Sequence, residues 1–304
     1  MIYLIIWTKE GITKLNIEAM LKMTLAMAIF GSIGFFTVNT GIPAEELVFV
    51  RCIFATVFLS GVWFFTGSYK TEKWSRKEVL QTMLCGVFLV MNWEFLFKAF
   101  QEMSISVAIS IYNLAPIFVL ILGSLFLKEK MSIGSAIAVA VCFLGSIFII
   151  GMEQFTSIDA LFNSGFVWAI LSAICYAMTM LVGKGITNLS AYAMTFIQTA
   201  IGIVMLFPFM EFSVFNGLTG WNWFYILGTG LIHTGFVYYL FFDSLRNLPT
   251  VITSALVFVD PVVAILLDIL ILDFRPTLCQ ILGIVLIFGG IIYTLRKPNQ
   301  TASE

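Results

Sequence analysis

The amino-acid sequence predicts an all-α integral membrane protein of ten transmembrane helices, built as two inverted five-helix repeats. Three observations lead to this fold class. The composition is strongly apolar, apolar segments of bilayer-crossing length recur along nearly the whole chain, and a pattern near residue 100 returns 145 residues later. Together they indicate a membrane protein made from two copies of one unit.

The composition indicates that this protein is surrounded by lipid. Of its 304 residues, 60% are hydrophobic and 11% are charged, and the mean hydropathy is +1.02. A soluble domain carries roughly 25% charged residues, so this chain uses lipid as its solvent. The formal net charge of −1 excludes bulk electrostatic attraction to nucleic acid. No soluble domain is expected outside the apolar segments.

Each apolar segment is long enough to cross a hydrocarbon core of about 30 Å. Because lipid offers no hydrogen-bond partners, the backbone groups of a spanning segment must be satisfied internally, and each segment is predicted to be a helix. The predicted spans are 22–40, 44–67, 79–99, 103–126, 132–151, 164–184, 190–212, 221–244, 248–271 and 276–296. Residues 1–21 precede them as a cytoplasmic or interfacial segment, residues 152–163 form a linker, and residues 297–304 form a cytoplasmic tail.

The basic residues predict the orientation, because lysine and arginine are enriched on the cytoplasmic side. With the N-terminus inside, the basic residues on the cytoplasmic side are Lys9, Lys14, Lys22, Lys70, Lys73, Arg76, Lys77, Lys128, Lys130, Lys184, Arg246, Arg296 and Lys297. The opposite side receives only Lys98 and Arg275. A multi-pass protein of the cytoplasmic (inner) membrane, with both termini in the cytoplasm, is therefore expected.

The repeat is visible at an offset of 145 residues. The matched positions are Ala99 with Ser244, Pro116 with Pro261, and Gly145 with Gly290. A unit with an odd number of spans must insert its second copy upside down, which relates the copies by an axis in the membrane plane. The predicted repeats are residues 22–151 and 164–296.

Short motifs within the repeats carry a family resemblance. In the first copy they are Lys98-Ala99-Phe100, Ser106-Val107-Ala108, Ala115-Pro116, Leu127-Lys128-Glu129-Lys130 and Phe143-Leu144-Gly145-Ser146. The second copy keeps Thr253-Ser254-Ala255, Asp260-Pro261 and Gly289-Gly290, and it has Asp273-Phe274-Arg275 in place of the acidic-basic pair usual after the ninth span. The chain resembles the EamA-type family of the drug/metabolite transporter superfamily over nearly its whole length.

This resemblance implies a central cavity near the middle of the membrane and alternating access without ATP hydrolysis. Members of the family move amino acids, amines, other metabolites or drugs, often outward. The sequence contains no GxxxxGK[ST] nucleotide-binding motif, which agrees with secondary transport. No cofactor is expected.

Glu94 lies deep in the third span, between Trp93 and Phe95. A carboxylate in hydrocarbon costs about 2.5–3.5 kcal/mol on insertion scales, so Glu94 is expected to face the bundle interior. One reading is a proton carrier or an anchor for a substrate ammonium group, and the other is a structural hydrogen bond to a neighbouring helix. Asn92 and Trp93 are grouped with it as candidate substrate-binding residues.

Aromatic residues at similar depth are candidates to line a cavity. Besides Trp93 they are Tyr112, Tyr238 and Tyr239, and the offset matches Trp93 with Tyr238 and Glu94 with Tyr239. Equivalent depths in inverted repeats predict that these pairs meet at the repeat interface. Aromatic faces around a carboxylate suit an amine or quaternary ammonium ion, while simple helix packing is the alternative.

Further candidate residues concern coupling and conformational change. His233, the single histidine, and Asp260 are candidates for proton or ion coupling, with packing roles as the alternatives. Pro116 and Pro261 are predicted hinges or half-helix ends at a binding site, because proline removes a helix hydrogen bond, and inherited kinks without a functional role are the alternative. Arg51 is expected to reach the outer surface or pair with an acid such as Glu46. No metal site is expected.

The function predicted from these features is a secondary transporter, most simply a proton-coupled exporter of an amino acid or related metabolite. Its partners would be the small-molecule substrate, the lipid bilayer and a coupling proton, and oligomerisation is not required. The alternative is transport of an amine, quaternary ammonium or aromatic cation through an aromatic cage. An intramembrane enzyme lacks a catalytic motif here, and a passive channel lacks a charged ring or a filter loop.

Overall fold

The structure is a computed structural model that describes residues 3–8, 11–103, 105–126, 132–150, 164–271 and 275–296. The predicted linker at 152–163 and tail at 297–304 lie outside these ranges. So do the motif at 127–130 and two residues of the motif at 273–275. Within the described ranges, the chain is a helical bundle preceded by one short pair of strands.

The N-terminal segment departs from expectation. Residues Tyr3–Thr8 and Gly11–Asn16 form an antiparallel pair of strands, β1 and β2. The first helix begins at Ile17 rather than at residue 22. The cause is local, because the Asn16 side chain caps the helix by accepting a hydrogen bond from the Ala19 N–H at 3.1 Å.

The helices of the first half correspond to the first five predicted spans. They are α1 (Ile17–Phe30), α2 (Ile33–Val38), α3 (Ala44–Phe65), α4 (Arg76–Glu102), α5 (Ile105–Tyr112), α6 (Ala115–Phe126) and α7 (Ile133–Ile150). Helices α1 and α2 together cross as one span, and α5 and α6 form one broken span. A short 3₁₀ helix, Ser68–Thr71, lies between α3 and α4.

The second half follows the same order. Its helices are α8 (Ser164–Lys184), α9 (Ala191–Leu206), α10 (Gly220–Gly228), a π-helix (Thr229–Phe236), α11 (Val237–Leu245), α12 (Thr250–Leu256), α13 (Val259–Ile271) and α14 (Leu278–Arg296). In the described ranges, nine segments are long and apolar enough to cross a membrane. With the broken α5–α6 pair as a tenth, the predicted all-α membrane fold is confirmed.

Both broken spans are interrupted at corresponding positions. The first break lies at residues 113–114 and the second at residues 257–258, so the two overlap at the 145-residue offset. Pro116 and Pro261 are the second and third residues of the half-helices that follow. In a first turn the missing proline N–H costs no helix hydrogen bond. The prolines therefore start half-helices, as one of the two predicted alternatives had it.

The contacts between helices of the two halves also repeat at the 145-residue offset. Helix α4 packs against α8 and α9, and its counterpart, the π-helix with α11, packs against α1 and α3. Helices α7 and α14, which correspond to each other, pack together. This reciprocal pattern is what a two-fold axis between repeats produces.

Glycines let α7 and α14 approach closely. A Cβ added at Gly145 would lie 2.7 Å from the Gly283 carbonyl oxygen, and one added at Gly290 would lie 2.7 Å from the Ala138 carbonyl oxygen. At the 145-residue offset Gly145 corresponds to Gly290 and Gly283 corresponds to Ala138, so the two contacts are equivalent in the two repeats. Close backbone approach through small residues is a common way to join helices in lipid.

Two glutamates of the first half hold a loop of the second half. Glu78 Oε2 accepts hydrogen bonds from the Asn188 and Leu189 backbone N–H groups, each at 2.9 Å. Glu72 accepts from the Ser190 backbone N–H at 2.7 Å and from its hydroxyl at 2.6 Å. This carboxylate latch, formed by Glu72, Glu78 and residues 187–190, ties the repeats at the end predicted to face the cytoplasm.

Candidate functional site

Aromatic rings from both halves meet beside the first helix break. The aromatic cluster consists of Trp93 on α4, Tyr112 on α5, Tyr176 on α8, and Tyr238 and Phe241 on α11. Trp93 and Tyr238 pack edge to face with centroids 6.0 Å apart, and Tyr112 stacks on Tyr176 at 5.4 Å. Tyr176 in turn stacks on Phe241 at 6.4 Å. Because Tyr112 is the last residue of α5, the cluster adjoins a point where the backbone is interrupted.

Arg51 lies against this cluster, and sequence reasoning missed its position. Its side chain is 6% exposed, and its Cζ atom lies 4.3 Å from the centroid of the Trp93 ring. The expected surface position or pairing with Glu46 is wrong. Arg51 is the eighth residue of α3, roughly 10 Å along the helix from its start, and its side chain turns inward. A lone arginine two turns inside an apolar span was the available signal.

The Arg51 guanidinium has no protein partner for its charge in the described part of the chain. Its Nε atom is buried without a hydrogen bond. The ion pairs found there involve Lys22 instead. A cation–π contact therefore carries the interaction of this cation with the protein, and it leaves the N–H donors of the guanidinium available.

Asp260 supplies the opposite charge near the same rings. It is the second residue of α13, directly after the second helix break. Tyr112 lies within electrostatic range of both Asp260 and Arg51. Among the described residues, no hydrogen bond or ion pair to the Asp260 carboxylate is found, and none joins it to Arg51. Arg51 thus contacts the aromatic cluster through Trp93, and Asp260 lies at the second helix break with no hydrogen-bond or ion-pair partner among the described residues.

The predicted pairing across the repeats is half right. Trp93 meets Tyr238, but Glu94 does not meet Tyr239, which stacks on Tyr192 at a centroid distance of 4.2 Å. Successive residues of an α-helix point about 100° apart. When Trp93 and Tyr238 face the axis between the repeats, their neighbours therefore turn away from it.

Glu94 lies apart from the aromatic cluster. The charged groups that face its carboxyl are Glu45 and Lys98. Its Oε1 atom is buried and has no hydrogen-bond partner in the described residues. An unsatisfied buried carboxyl oxygen is costly unless the group is protonated or finds a ligand. Glu94 therefore remains a candidate for ion coupling, at a position separate from Arg51.

Asn92 faces α8 instead of the rings. It is 1% exposed, and the Ser172 hydroxyl lies 2.9 Å from its backbone oxygen and 3.1 Å from its side-chain oxygen. These contacts join α4 to α8. The geometry assigns Asn92 to helix packing.

His233 lies in the π-helix, where both ring nitrogens have neighbours. Nε2 is 2.9 Å from the Ser32 hydroxyl and Nδ1 is 3.3 Å from the Gly228 carbonyl oxygen. The ring also contacts Phe36, with centroids 4.7 Å apart. A π-helix often marks a functional site, but these contacts equally hold α1 and α2 against the second half.

Two pockets of the described residues lie away from the aromatic cluster. One pocket of about 340 Å³ adjoins the carboxylate latch and is lined in part by Glu72, Lys73 and Tyr192. Another of about 460 Å³ is an apolar groove on α3, lined in part by Val57 and Phe65. Neither touches the aromatic cluster. A substrate that enters the cluster must separate its rings.

Comparison with known proteins matches this architecture to one family. The family model described as the EamA-like transporter family matches residues 2–151 and again residues 163–296. The chain is 53% identical over 294 residues to the uncharacterized transporter YxxF of Bacillus subtilis, an alignment covering 95% of this chain and 94% of that protein. An uncharacterized transporter of Archaeoglobus fulgidus is 27% identical over 264 residues, covering 84% and 88%. A solved crystal structure with 14% identity shares the fold at a TM-score of 0.76, covering 90% of this chain and 96% of its own.

Proposed function

The chain belongs to the EamA-like transporter family, and on this premise we propose that it is a secondary active transporter of a small metabolite, an amino acid or a related compound. It carries its substrate across the cytoplasmic membrane by alternating access, with export as its direction and a proton as the coupling ion. No catalytic role is proposed, since its relatives are named as transporters.

One observation carries the proposal. Arg51 contacts the Trp93 ring of the aromatic cluster with no carboxylate of the described residues paired to it, and Asp260 follows the second helix break without a hydrogen-bond or ion-pair partner among them. A charged side chain inside a membrane span costs about 2.5–3.5 kcal/mol on insertion scales, and such residues mark substrate or ion pathways. A substrate with matching charges would supply the missing interactions.

The arrangement of the helices supports alternating access. Half-helices that begin at corresponding breaks, each with a proline in its first turn, provide two equivalent places where the backbone can bend. The carboxylate latch closes one end of the bundle. Opening this end would require the loop at residues 187–190 to leave Glu78. Pro116 and Pro261 are therefore the proposed hinges.

Three residues are candidates for the coupling step. Asp260 and Glu94 are carboxyl groups that can take up and release a proton at membrane depth. His233 is a weaker candidate, because both of its ring nitrogens already have neighbours. The orientation with both termini in the cytoplasm rests on the distribution of lysine and arginine.

The cation-cage alternative has less support. In a cage, the ring face of Trp93 would contact the substrate cation and Glu94 would balance its charge. The Trp93 ring instead contacts Arg51, and Glu94 is faced by Glu45 and Lys98. A quaternary ammonium substrate would meet a fixed positive charge at this ring.

Counterflow in proteoliposomes tests the proposal, because it requires neither a known direction nor a known coupling ion. Vesicles loaded with one unlabelled amino acid should accumulate the labelled form transiently, with saturation at high concentration. Protein-free vesicles are the control. Uptake that rises linearly with concentration would indicate a channel, and no counterflow with any amino acid or amine would refute the transporter proposal.

A further inference from the structure

We propose that Arg51 is the anion-binding residue of the transport site and that the substrate therefore carries a carboxylate group. This inference rests on the proposed function and specifies its substrate class. It concerns a residue that sequence reasoning had assigned to the surface.

The first argument is the cost of an unpartnered cation. Arg51 is 6% exposed, and its Nε atom is buried without a hydrogen bond in the described residues. A charge inside a membrane span is costly, and such residues pair with an opposite charge or mark a substrate or ion pathway. Replacing buried ion pairs with apolar residues of similar volume is often neutral or stabilising. An arginine kept in this position without a carboxylate from the protein points to a carboxylate from a ligand.

The second argument is geometric. The Arg51 Cζ atom lies 4.3 Å from the Trp93 ring centroid, a contact that orients the guanidinium without occupying its N–H donors. A guanidinium presents these donors as a planar fork that matches the two oxygens of a carboxylate. Trp93 thus holds the fork in place for an incoming anion.

The third argument is the second charge. Asp260 follows the second helix break, which corresponds to the break that Tyr112 adjoins. Arg51 contacts Trp93 in the same aromatic cluster as Tyr112. A zwitterion can satisfy both, with its carboxylate at Arg51 and its ammonium group at Asp260. The rings of Tyr112 and Tyr176 are then available to its side chain.

Stability measurements distinguish a binding role from a structural one. For Arg51→Met, we expect a thermal midpoint in detergent that is unchanged or higher than that of the wild type, together with loss of amino acid counterflow. Trp93→Leu is the matched variant. It removes the ring that contacts the Arg51 guanidinium, so it should lower the thermal midpoint. A clearly lower midpoint for Arg51→Met would show that the arginine is structural and would overturn the inference.

Matched ligands test the carboxylate directly. The probes are L-phenylalanine, 3-phenylpropionate, which lacks the ammonium group, and phenethylamine, which lacks the carboxylate. Thermal stabilisation of the wild-type protein should require the carboxylate, and Arg51→Met should weaken binding of both carboxylates roughly tenfold or more, the equivalent of about 1.4 kcal/mol. Stabilisation by phenethylamine alone, or by none of the three, would overturn the inference.

Two further outcomes separate this inference from the proposed function. If the wild type and Arg51→Met show equal counterflow of an amine, carboxylate recognition by Arg51 is refuted, but the transporter proposal is not. If Arg51→Met does not fold, Arg51→Lys decides, because it keeps the charge but not the fork. Carboxylate binding to Arg51→Lys at wild-type strength would count against the inference, and weakening of roughly tenfold would support it.

Discussion

The carboxylate of Glu78, on α4 of the first half, accepts a hydrogen bond of 2.9 Å from the backbone N–H of Asn188 in the second half. Its other oxygen lies 2.7 Å from the Asn188 side-chain nitrogen. The backbone N–H groups of Thr187 and Leu189, on either side of Asn188, also donate to this carboxylate. One side chain thus bridges the two repeats at one end of the bundle.

Glu78→Gln should weaken this latch. Glutamine replaces one acceptor oxygen by an NH₂ group that faces N–H donors, so we expect a loss of roughly 2–3 kcal/mol of stability, the scale of hydrogen bonds to a charged group. A lower thermal midpoint in detergent would report it. Lys77→Gln, at the exposed neighbouring residue, is the control and should leave the midpoint unchanged.

Gly145→Ala should loosen the contact between α7 and α14. The added methyl group would lie 2.7 Å from the Gly283 carbonyl oxygen, and backbone must shift to relieve it, at a cost of roughly 1–3 kcal/mol. Gly34→Ala is the matched control, because no atom lies within 4 Å of a Cβ there. Equal thermal midpoints for the two variants would contradict the close packing.

Glu94→Gln tests the coupling role of this carboxyl group. The change keeps the side chain's volume and removes its ability to exchange a proton, so we expect transport driven by a pH gradient to be lost. Counterflow and the thermal midpoint should be retained, since the Glu94 Oε1 atom makes no hydrogen bond in the described residues. Unaltered gradient-driven transport would remove Glu94 from the mechanism.

His233→Phe separates packing from proton transfer at the π-helix. Both ring nitrogens have neighbours, at 2.9 and 3.3 Å, so we expect lower stability by about 1–3 kcal/mol from the groups left unsatisfied. Gradient-driven transport by the folded fraction should persist. Its loss, with counterflow intact, would assign the proton to His233 instead.

Sequence patterns were sufficient for the architecture. Length and apolarity identify spanning helices, because lipid leaves a backbone no other way to satisfy its polar groups. The 145-residue offset located the equivalent halves, and Pro116 and Pro261 indicated where the fourth and ninth spans are interrupted. The first helix begins at Ile17, five residues before the predicted span, because the Asn16 side chain caps it there.

The site was predicted less completely. The contact of Trp93 with Tyr238 followed from equivalent depth in the two repeats. Tyr176 was missed, and Arg51 was placed at the surface. Asn92 and Glu94, the immediate neighbours of Trp93, turned out to face other parts of the bundle. The helix that carries each residue was predicted in these cases, and the direction of the side chain was not.

The sequence by itself determined that this protein spans the membrane as two related sets of helices, and on which of these helices its polar residues lie. The tertiary structure decided which of those residues face one another, bringing Arg51 to Trp93 and turning Glu94 away. The physical reason is the solvent. In water, a helix shows its buried face through an apolar stripe. In lipid, both faces are apolar, and only packing against neighbouring helices sets the rotation of each helix about its axis.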